Sequence, residues 1–173
     1  MSIPASNRES CLNYVKGCVE KALATTIVRD DLYIDHLKGQ MSVHPERVGP
    51  NVNAESLQMK CQPFSWALKE ALVDFGLQVQ VVSSGNRAIA EHVYLATGID
   101  PNEVIIEPTI GQIILGHNHI FVGFRSDLRK IVVDKTGSPN SPYQIDPLYA
   151  TYHQKHPEEI FRHFWGDKSR LFP

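Results

Sequence analysis

The feature that most constrains the fold is an amphipathic segment that ends abruptly and is followed at once by strand-like runs. Its apolar positions recur at helical spacing and predict a helix over residues 64–75. Pro63 suits the first turn of that helix, and Gly76 suits its end. The strand-like runs that follow are residues 77–82, 92–96, 103–107 and 119–123, with a turn predicted at 83–86. This order indicates an α+β fold in which an antiparallel sheet packs against the helix.

The flanking sequence predicts further elements but no second domain, since 173 residues suit one domain. We expect a single domain over residues 1–173, with a helical N-terminal extension over 1–38 and a core over 56–125. The extension divides into a loose tail over 1–8 and a helix over 9–38. A long loop is predicted over 39–56. Residues 126–133 fit either a helix or a strand, and we favour a helical start that becomes strand-like at 131–133. The remaining predictions are a proline-containing loop over 137–147 and an amphipathic helix over 157–165.

The charge balance excludes two classes of partner. Seventeen basic residues against nineteen acidic ones give a net charge of −2, too weak a field for binding nucleic acid or anionic lipid. No apolar run approaches the ~20 residues that span a bilayer. The first residues also lack the apolar core of a cleaved secretory signal. We therefore expect no nucleic-acid or membrane partner. Separately, we expect the chain to be a monomer.

The cysteines and histidines raise the question of disulfides and metals. Three cysteines do not form a disulfide framework and fit a reducing compartment. Cys11 and Cys18 are expected to pack inside from the first helix. His117 and His119 offer two ligands from one turn, whereas a zinc site needs three or four. We expect no metal, and the absence of a phosphate-binding loop motif predicts no nucleotide cofactor.

Two groups near the C-terminus have ordinary structural explanations. The histidines there are expected to lie on a solvated face; they are His153, His156 and His163. The aromatic residues of the last helix are expected to form a core stripe; they are Phe161, Phe164 and Trp165.

Three residues of the middle region together suggest chemistry. Cys61 precedes the amphipathic helix, His92 opens the second strand, and Glu107 ends the third, 15 residues after His92. A thiol at a helix N-terminus is favoured as thiolate, the reactive form. An imidazole next to it can hold the proton and return it to a leaving group. A carboxylate on the neighbouring strand can fix the imidazole tautomer.

This arrangement resembles the papain-like and transglutaminase-like cysteine hydrolases. The stretch VIIEPTIGQ, residues 104–112, is similar to that family's strand end, in which an acidic residue is followed by Pro-Thr and a later glutamine. The chain is most similar to small bacterial protein glutamine deamidase effector or toxin domains, in size, in His-to-acid spacing and in Gln112. The resemblance implies a papain-like core, a catalytic triad of Cys61, His92 and Glu107, and a protein substrate.

The sequence departs from the family pattern in two ways. The acidic residue is Glu107 where the family has mostly Asp or Asn. The papain-type oxyanion glutamine, six residues before the cysteine, is Glu55 here. We therefore take Gln58 and Gln112 as candidates for oxyanion or substrate binding. Trp66, on the helix beside the cysteine, is a candidate for lining the substrate cleft.

Several alternatives remain open at this point. His119 and Asp134 are also 15 residues apart and could replace His92 and Glu107. Thiol acyl chemistry also serves peptidases and transglutaminase-type acyltransferases, and a non-catalytic protein-binding module would use Cys61 only for packing. The sequence fits either a cytoplasmic protein or a bacterial effector delivered into a host cell without a cleaved signal.

Overall fold

In the part of the chain that the structure describes, seven strands combine with helices that lie on both sides of a sheet. The computed structural model describes residues 5–25, 39–86, 90–98, 103–136, 138–152, 156–166 and 170–172. The helices are α1 (Ala5–Thr25), α2 (Ala54–Leu57), α3 (Cys61–Asp74), α4 (Arg125–Arg129, continued by a π-helical segment Lys130–Lys135), α5 (Pro147–Tyr152) and α6 (Pro157–Phe161, continued by a π-helical segment Arg162–Gly166). The strands are β1 (Gln80–Asn86), β2 (Ala90–Thr97), β3 (Val104–Glu107), β4 (Ile114–Leu115), β5 (Phe121–Phe124), β6 (Gln144–Ile145) and β7 (Arg170–Phe172).

The main sheet has five strands in the order β5-β3-β2-β1-β7, all paired antiparallel. A separate two-stranded ribbon joins β4 to β6. The predicted α+β class with an antiparallel sheet is therefore confirmed. Helix α3 begins at Cys61 and packs against β2, as expected of a helix that carries the cysteine. Just after the end of α3, Gly76 has φ 73°, a backbone conformation that other residues rarely adopt.

The sheet separates two hydrophobic cores. Side chains on successive strand residues point to opposite faces, so Val93 and Leu95 of β2 join one core while Tyr94 and Ala96 join the other. The first core lies under α1 and α3. The second lies under α4, α6 and the segment that follows α6, and it contains the predicted aromatic stripe with Trp165 fully buried.

The structure corrects the predicted turn at 83–86. Strand β1 begins at Gln80 rather than at residue 77 and runs through this segment, with Ser84 paired opposite His92. Serine and glycine favour turns, but here the buried hydroxyls find acceptors: Ser83 donates to the Glu91 carboxylate and Ser84 to the Phe164 carbonyl. Long-range pairing therefore overrides the local preference.

The strand predicted at 131–133 is also wrong. These residues lie in the π-helical continuation of α4, which packs against α6. Val132 is buried there, and the Thr136 hydroxyl donates to its carbonyl. A run of β-branched residues favours a strand only weakly, and burial of one face against a neighbouring helix outweighs that preference.

The N-terminal predictions need smaller corrections. Helix α1 already begins at Ala5, inside the predicted tail, and residues 26–38 of the predicted helix lie outside the described residues. Cys18 is buried as expected, but Cys11 is exposed, so its predicted packing role is wrong. The loop at 39–56 is interrupted by a 3-10 turn, Pro45–Arg47, and by the start of α2.

Near the other end, β6 and α5 were not predicted, because residues 137–147 read as a loop. None of the described helices combines the length and the apolar character that crossing a membrane requires.

Candidate active site

Cys61 is the first residue of α3 and is half-buried. Pro63 has no amide hydrogen and the Phe64 amide donates to the Lys60 carbonyl, so the first turn of the helix offers the amides of Cys61 and Gln62 to a ligand. The chain enters the helix through Met59, which has a left-handed backbone at φ 57° and is 88% exposed. The nucleophile candidate therefore lies near the surface, at the positive end of a helix.

His92 lies on β2 with 2% of its side chain exposed, and it is hydrogen-bonded to Cys61. One turn further along α3, the Ser65 hydroxyl donates to the Val93 carbonyl at 3.2 Å. This buried bond fixes the helix against the strand directly beside His92. The thiol and the imidazole are therefore held together by the packing of α3 on β2.

Glu107 is fully buried at the end of β3, the strand next to β2, and its carboxylate points toward His92. Its Oε2 lies 2.5 Å from His92 Nε2 and also accepts from Trp165 Nε1 at 2.8 Å. Its Oε1 accepts from the Thr109 amide at 3.0 Å and from the Thr109 hydroxyl at 3.4 Å. Four donors satisfy a buried carboxylate and hold it in one orientation.

Gln112 lies on the other side of the imidazole. Its side-chain nitrogen is 3.3 Å from His92 Nδ1 and 3.1 Å from the Thr109 hydroxyl. The 3-10 turn that carries it needs a glycine, because a Cβ at Gly111 would lie 2.7 Å from the His117 carbonyl oxygen. The structure thus places Gln112 against the base, where it can orient the ring.

Burial and charge act together on the thiol and the imidazole. Burial raises the pKa of Cys61, whereas the hydrogen bond and the charge of His92 lower it. Together the lowering effects outweigh burial, so the pKa of Cys61 lies below its ordinary value. Burial lowers the pKa of His92, but the charge of Glu107 and the bonds to Cys61 and Glu107 raise it to about 10. Both directions favour a thiolate–imidazolium pair at neutral pH.

This electrostatic state predicts the pH dependence of alkylation. Only the thiolate reacts with iodoacetamide. Because the pKa of Cys61 is lowered, its alkylation should reach a plateau at lower pH than that of the exposed Cys11. In His92→Ala the burial of the thiol remains without its cation, so the midpoint for Cys61 should move to higher pH. Peptide mass spectrometry after timed labelling measures both cysteines in one sample. Equal pH profiles for the two thiols would contradict the ion pair.

Aromatic rings enclose the imidazole on its buried side. Phe164 and Trp165 present their edges to it, with ring centroids 5.8 and 5.6 Å away, and Tyr94 stacks at 6.3 Å. The sequence predicted Phe164 and Trp165 as core residues, and they are buried there. The hydrogen bond from Trp165 to Glu107 was missed, since nothing in the sequence links positions 58 residues apart.

The alternative pair of His119 and Asp134 is not assembled. Asp134 is exposed on the π-helical segment, whereas His119 follows the β4 strand and stacks on His117 at 3.8 Å between ring centroids. Burial lowers the pKa of His119, and the charges that act on it come from Glu46, His44 and Lys16. The structure therefore brings Cys61 together with His92, not with His119.

The remaining candidates, Gln58 and Trp66, flank Cys61 along the chain. Gln58 is exposed at the end of α2. Trp66 is 36% exposed on α3, with the Lys69 ammonium 5.1 Å from its ring centroid. Their roles toward a substrate stay predictions. In the part of the chain that the structure describes, no three His, Cys, Asp or Glu side chains gather as a metal site.

Comparisons of the chain with protein-family models, with curated proteins and with solved structures found no match. The function is therefore inferred from the geometry and electrostatics of the site itself.

Proposed function

We propose that the chain is a cysteine hydrolase that deamidates glutamine side chains of a target protein. The observation that carries this proposal is the position of His92, which binds a buried Glu107 through Nε2 and contacts a thiol at a helix N-terminus. Nucleophile, base and orienting carboxylate in this order are the requirements for thiol acyl transfer.

The reaction follows from the positions of these groups. The Cys61 thiolate attacks the carboxamide carbon, and the amides of Cys61 and Gln62 stabilise the oxyanion. The C–N bond then breaks as His92 gives its proton to the nitrogen, and ammonia leaves behind a thioester. Neutral His92 next takes a proton from water, whose oxygen attacks the thioester and releases glutamate and the thiolate. Glu107 keeps the imidazole oriented and stabilises its charged form throughout.

Two features support a glutamine side chain as substrate. Cys61 is half-buried next to the exposed Met59, so a flexible side chain on a folded protein can reach it. Gln112 follows the acidic residue at the spacing of the deamidase domains that the sequence resembles. We extend the proposal to the fold and the setting: a papain-like or transglutaminase-like core, acting on a host protein as a bacterial effector.

The experiment that tests this proposal is incubation with an unstructured glutamine-rich protein such as casein. Deamidation releases ammonia and changes glutamine to glutamate without cutting the chain. Cys61→Ser should abolish the reaction, whereas the matched variant Cys11→Ser, at an exposed thiol, should retain it. Fragments would indicate a peptidase instead, and crosslinks an acyltransferase. An inert protein whose three thiols react equally slowly with iodoacetamide would reject the catalytic proposal.

The contact between Trp165 and Glu107 leads to a further prediction. Trp165→Phe keeps an apolar aromatic ring in the core but removes the indole N–H. Glu107 Oε2 thereby loses the donor that holds it toward His92. We expect about tenfold slower deamidation and a free energy of unfolding lower by about 1–3 kcal/mol. Urea unfolding and the ammonia assay measure the two effects.

Phe161→Leu is the matched control, because Phe161 packs in the same core, 6.3 Å from the Trp165 ring. It should lower stability but leave the rate per folded molecule unchanged. An equal loss of rate in both variants would show that Trp165 acts only through packing.

A further inference from the structure

Thr109 connects the two side chains that contact the ring nitrogens of His92. Its hydroxyl donates to Glu107 Oε1 at 3.4 Å and accepts from Gln112 Nε2 at 3.1 Å. Glu107 binds His92 Nε2, and Gln112 Nε2 lies 3.3 Å from His92 Nδ1. These four side chains are all buried, and together they form a closed ring of hydrogen bonds.

The hydroxyl of Thr109 determines which end of the Gln112 amide faces His92. A carboxylate only accepts hydrogen bonds, so the Thr109 proton points to Glu107 Oε1 and the hydroxyl oxygen presents its lone pairs to Gln112. The amide therefore turns its NH₂ group to Thr109, and the second hydrogen of that group is available to His92 Nδ1. The reversed amide would place Oε1 beside Nδ1 and favour a protonated ring.

An N–H beside Nδ1 favours the neutral imidazole, because it can donate to the lone pair but not to a protonated nitrogen. His92 Nε2 is bound to Glu107, so Nδ1 is the nitrogen left to exchange protons with the thiol and the leaving group. In the thioester the sulfur of Cys61 carries neither a charge nor a proton. At that stage Gln112 offers Nδ1 a donor, just when neutral His92 must act as a base toward water.

Other groups around His92 also act on its charge. Burial lowers its pKa, whereas the charges of Glu107 from β3 and Cys61 from α3 raise it. Tyr94 of the same strand stacks on the ring and stays neutral, since burial raises its pKa, and the segment after α6 contributes uncharged aromatic rings. Of the described side chains that hydrogen-bond to the imidazole, Gln112 is the one whose N–H favours the neutral form.

We propose that Thr109 is a positioning residue, whose hydroxyl holds the Gln112 amide so that it stabilises neutral His92 in the thioester. This inference rests on the thioester step of the proposed function. Thr109 itself exchanges no proton with the substrate.

The test measures both half-reactions of Thr109→Val with p-nitrophenyl acetate. Valine keeps the shape of the side chain and the backbone bond to Glu107, but it offers Gln112 no acceptor. The thioester should form at close to the original rate, whereas its hydrolysis at neutral pH should be about tenfold slower, which gives a burst of p-nitrophenol. Loss of a contact that favours the neutral ring raises the pKa of His92, so the midpoint of hydrolysis should move about one unit to higher pH. Stopped-flow absorbance measures the burst, and peptide mass spectrometry locates the acetyl group on Cys61.

Three further variants show whether the hydroxyl acts through Gln112. Thr109→Ser keeps the hydroxyl and should restore the rate and the midpoint. Thr97→Val is the matched control, because the Thr97 hydroxyl donates to the Gln78 carbonyl away from the imidazole. In Gln112→Met, adding Thr109→Val should slow hydrolysis no further, since the amide that Thr109 holds is gone. Equal slowing of both half-reactions, an unchanged midpoint or additive losses in the double variant would overturn the role of Thr109.

These outcomes are distinct from those that test the proposed function. Ammonia release from casein tests deamidation, whereas the ester rates test Thr109. An ester burst with no ammonia release would reject deamidation alone. A protein that forms no thioester on Cys61 with either substrate would reject both.

Discussion

His92→Ala should reduce kcat/KM for deamidation by about 10³-fold or more, because one residue serves as the proton donor to ammonia and the base toward water. The substitution also removes the cation that lowers the pKa of Cys61, so less thiolate forms at neutral pH. Ammonia release over a range of enzyme concentrations measures the loss.

The control for this variant is His119→Ala, at the histidine that the sequence offered as an alternative base. It should keep nearly the full rate, since His119 stacks on His117 rather than contacting the thiol. Buried His92 also contributes to packing, so circular dichroism and unfolding curves must show that the His92 variant is folded. If His119→Ala is the inactive variant, the assignment of the base is wrong.

Glu107→Gln should have the second largest effect, about 10²–10⁴-fold on kcat. Glutamine keeps the size of the side chain, but one carboxylate oxygen becomes an NH₂ group among donors from His92, Trp165 and Thr109. At least one of these donors loses its acceptor in a fully buried place. The imidazole also loses the partner that orients it.

The pH profile distinguishes this effect from simple misfolding. Burial lowers the pKa of His92, and the charge of Glu107 is the largest cause that raises it to about 10. Without that charge the pKa must fall, so the alkaline limb of activity, where imidazolium loses its proton, should move to lower pH. Glu103→Gln is the matched control: Glu103 is also a buried carboxylate, but it pairs with Arg125 at 2.6 Å. An unchanged alkaline limb in Glu107→Gln would contradict the role of the carboxylate.

Local sequence patterns predicted the parts of the fold that depend on short-range order. Helix α3 shows its buried face as a helical repeat, and its end needs the left-handed Gly76. The side-by-side arrangement of His92 and Glu107 was expected because their strands are adjacent and connected by a short segment. Their roles in catalysis remain predictions that the experiments above test.

The missed features all depend on contacts between distant parts of the chain. The segment 83–86 continues β1 because it pairs with β2 and buries two hydroxyls that find acceptors. Residues 131–133 are helical because of the helix packed beside them. Trp165 reaches the site from the last third of the chain, and no local pattern encodes which distant side chain an aromatic residue will touch.

The separation of the molecule into two cores has a consequence for how activity would be lost under stress. Cys61 packs with the core beneath α3, whereas the ring of His92 is enclosed by Phe164 and Trp165 of the other core. A partial opening confined to the second core would leave the thiol on an intact helix yet free its base and carboxylate to reorient. Mild denaturant should then abolish turnover before it unfolds α3. Such a protein would be inactive while most of its amide hydrogens in α3 remained protected from exchange.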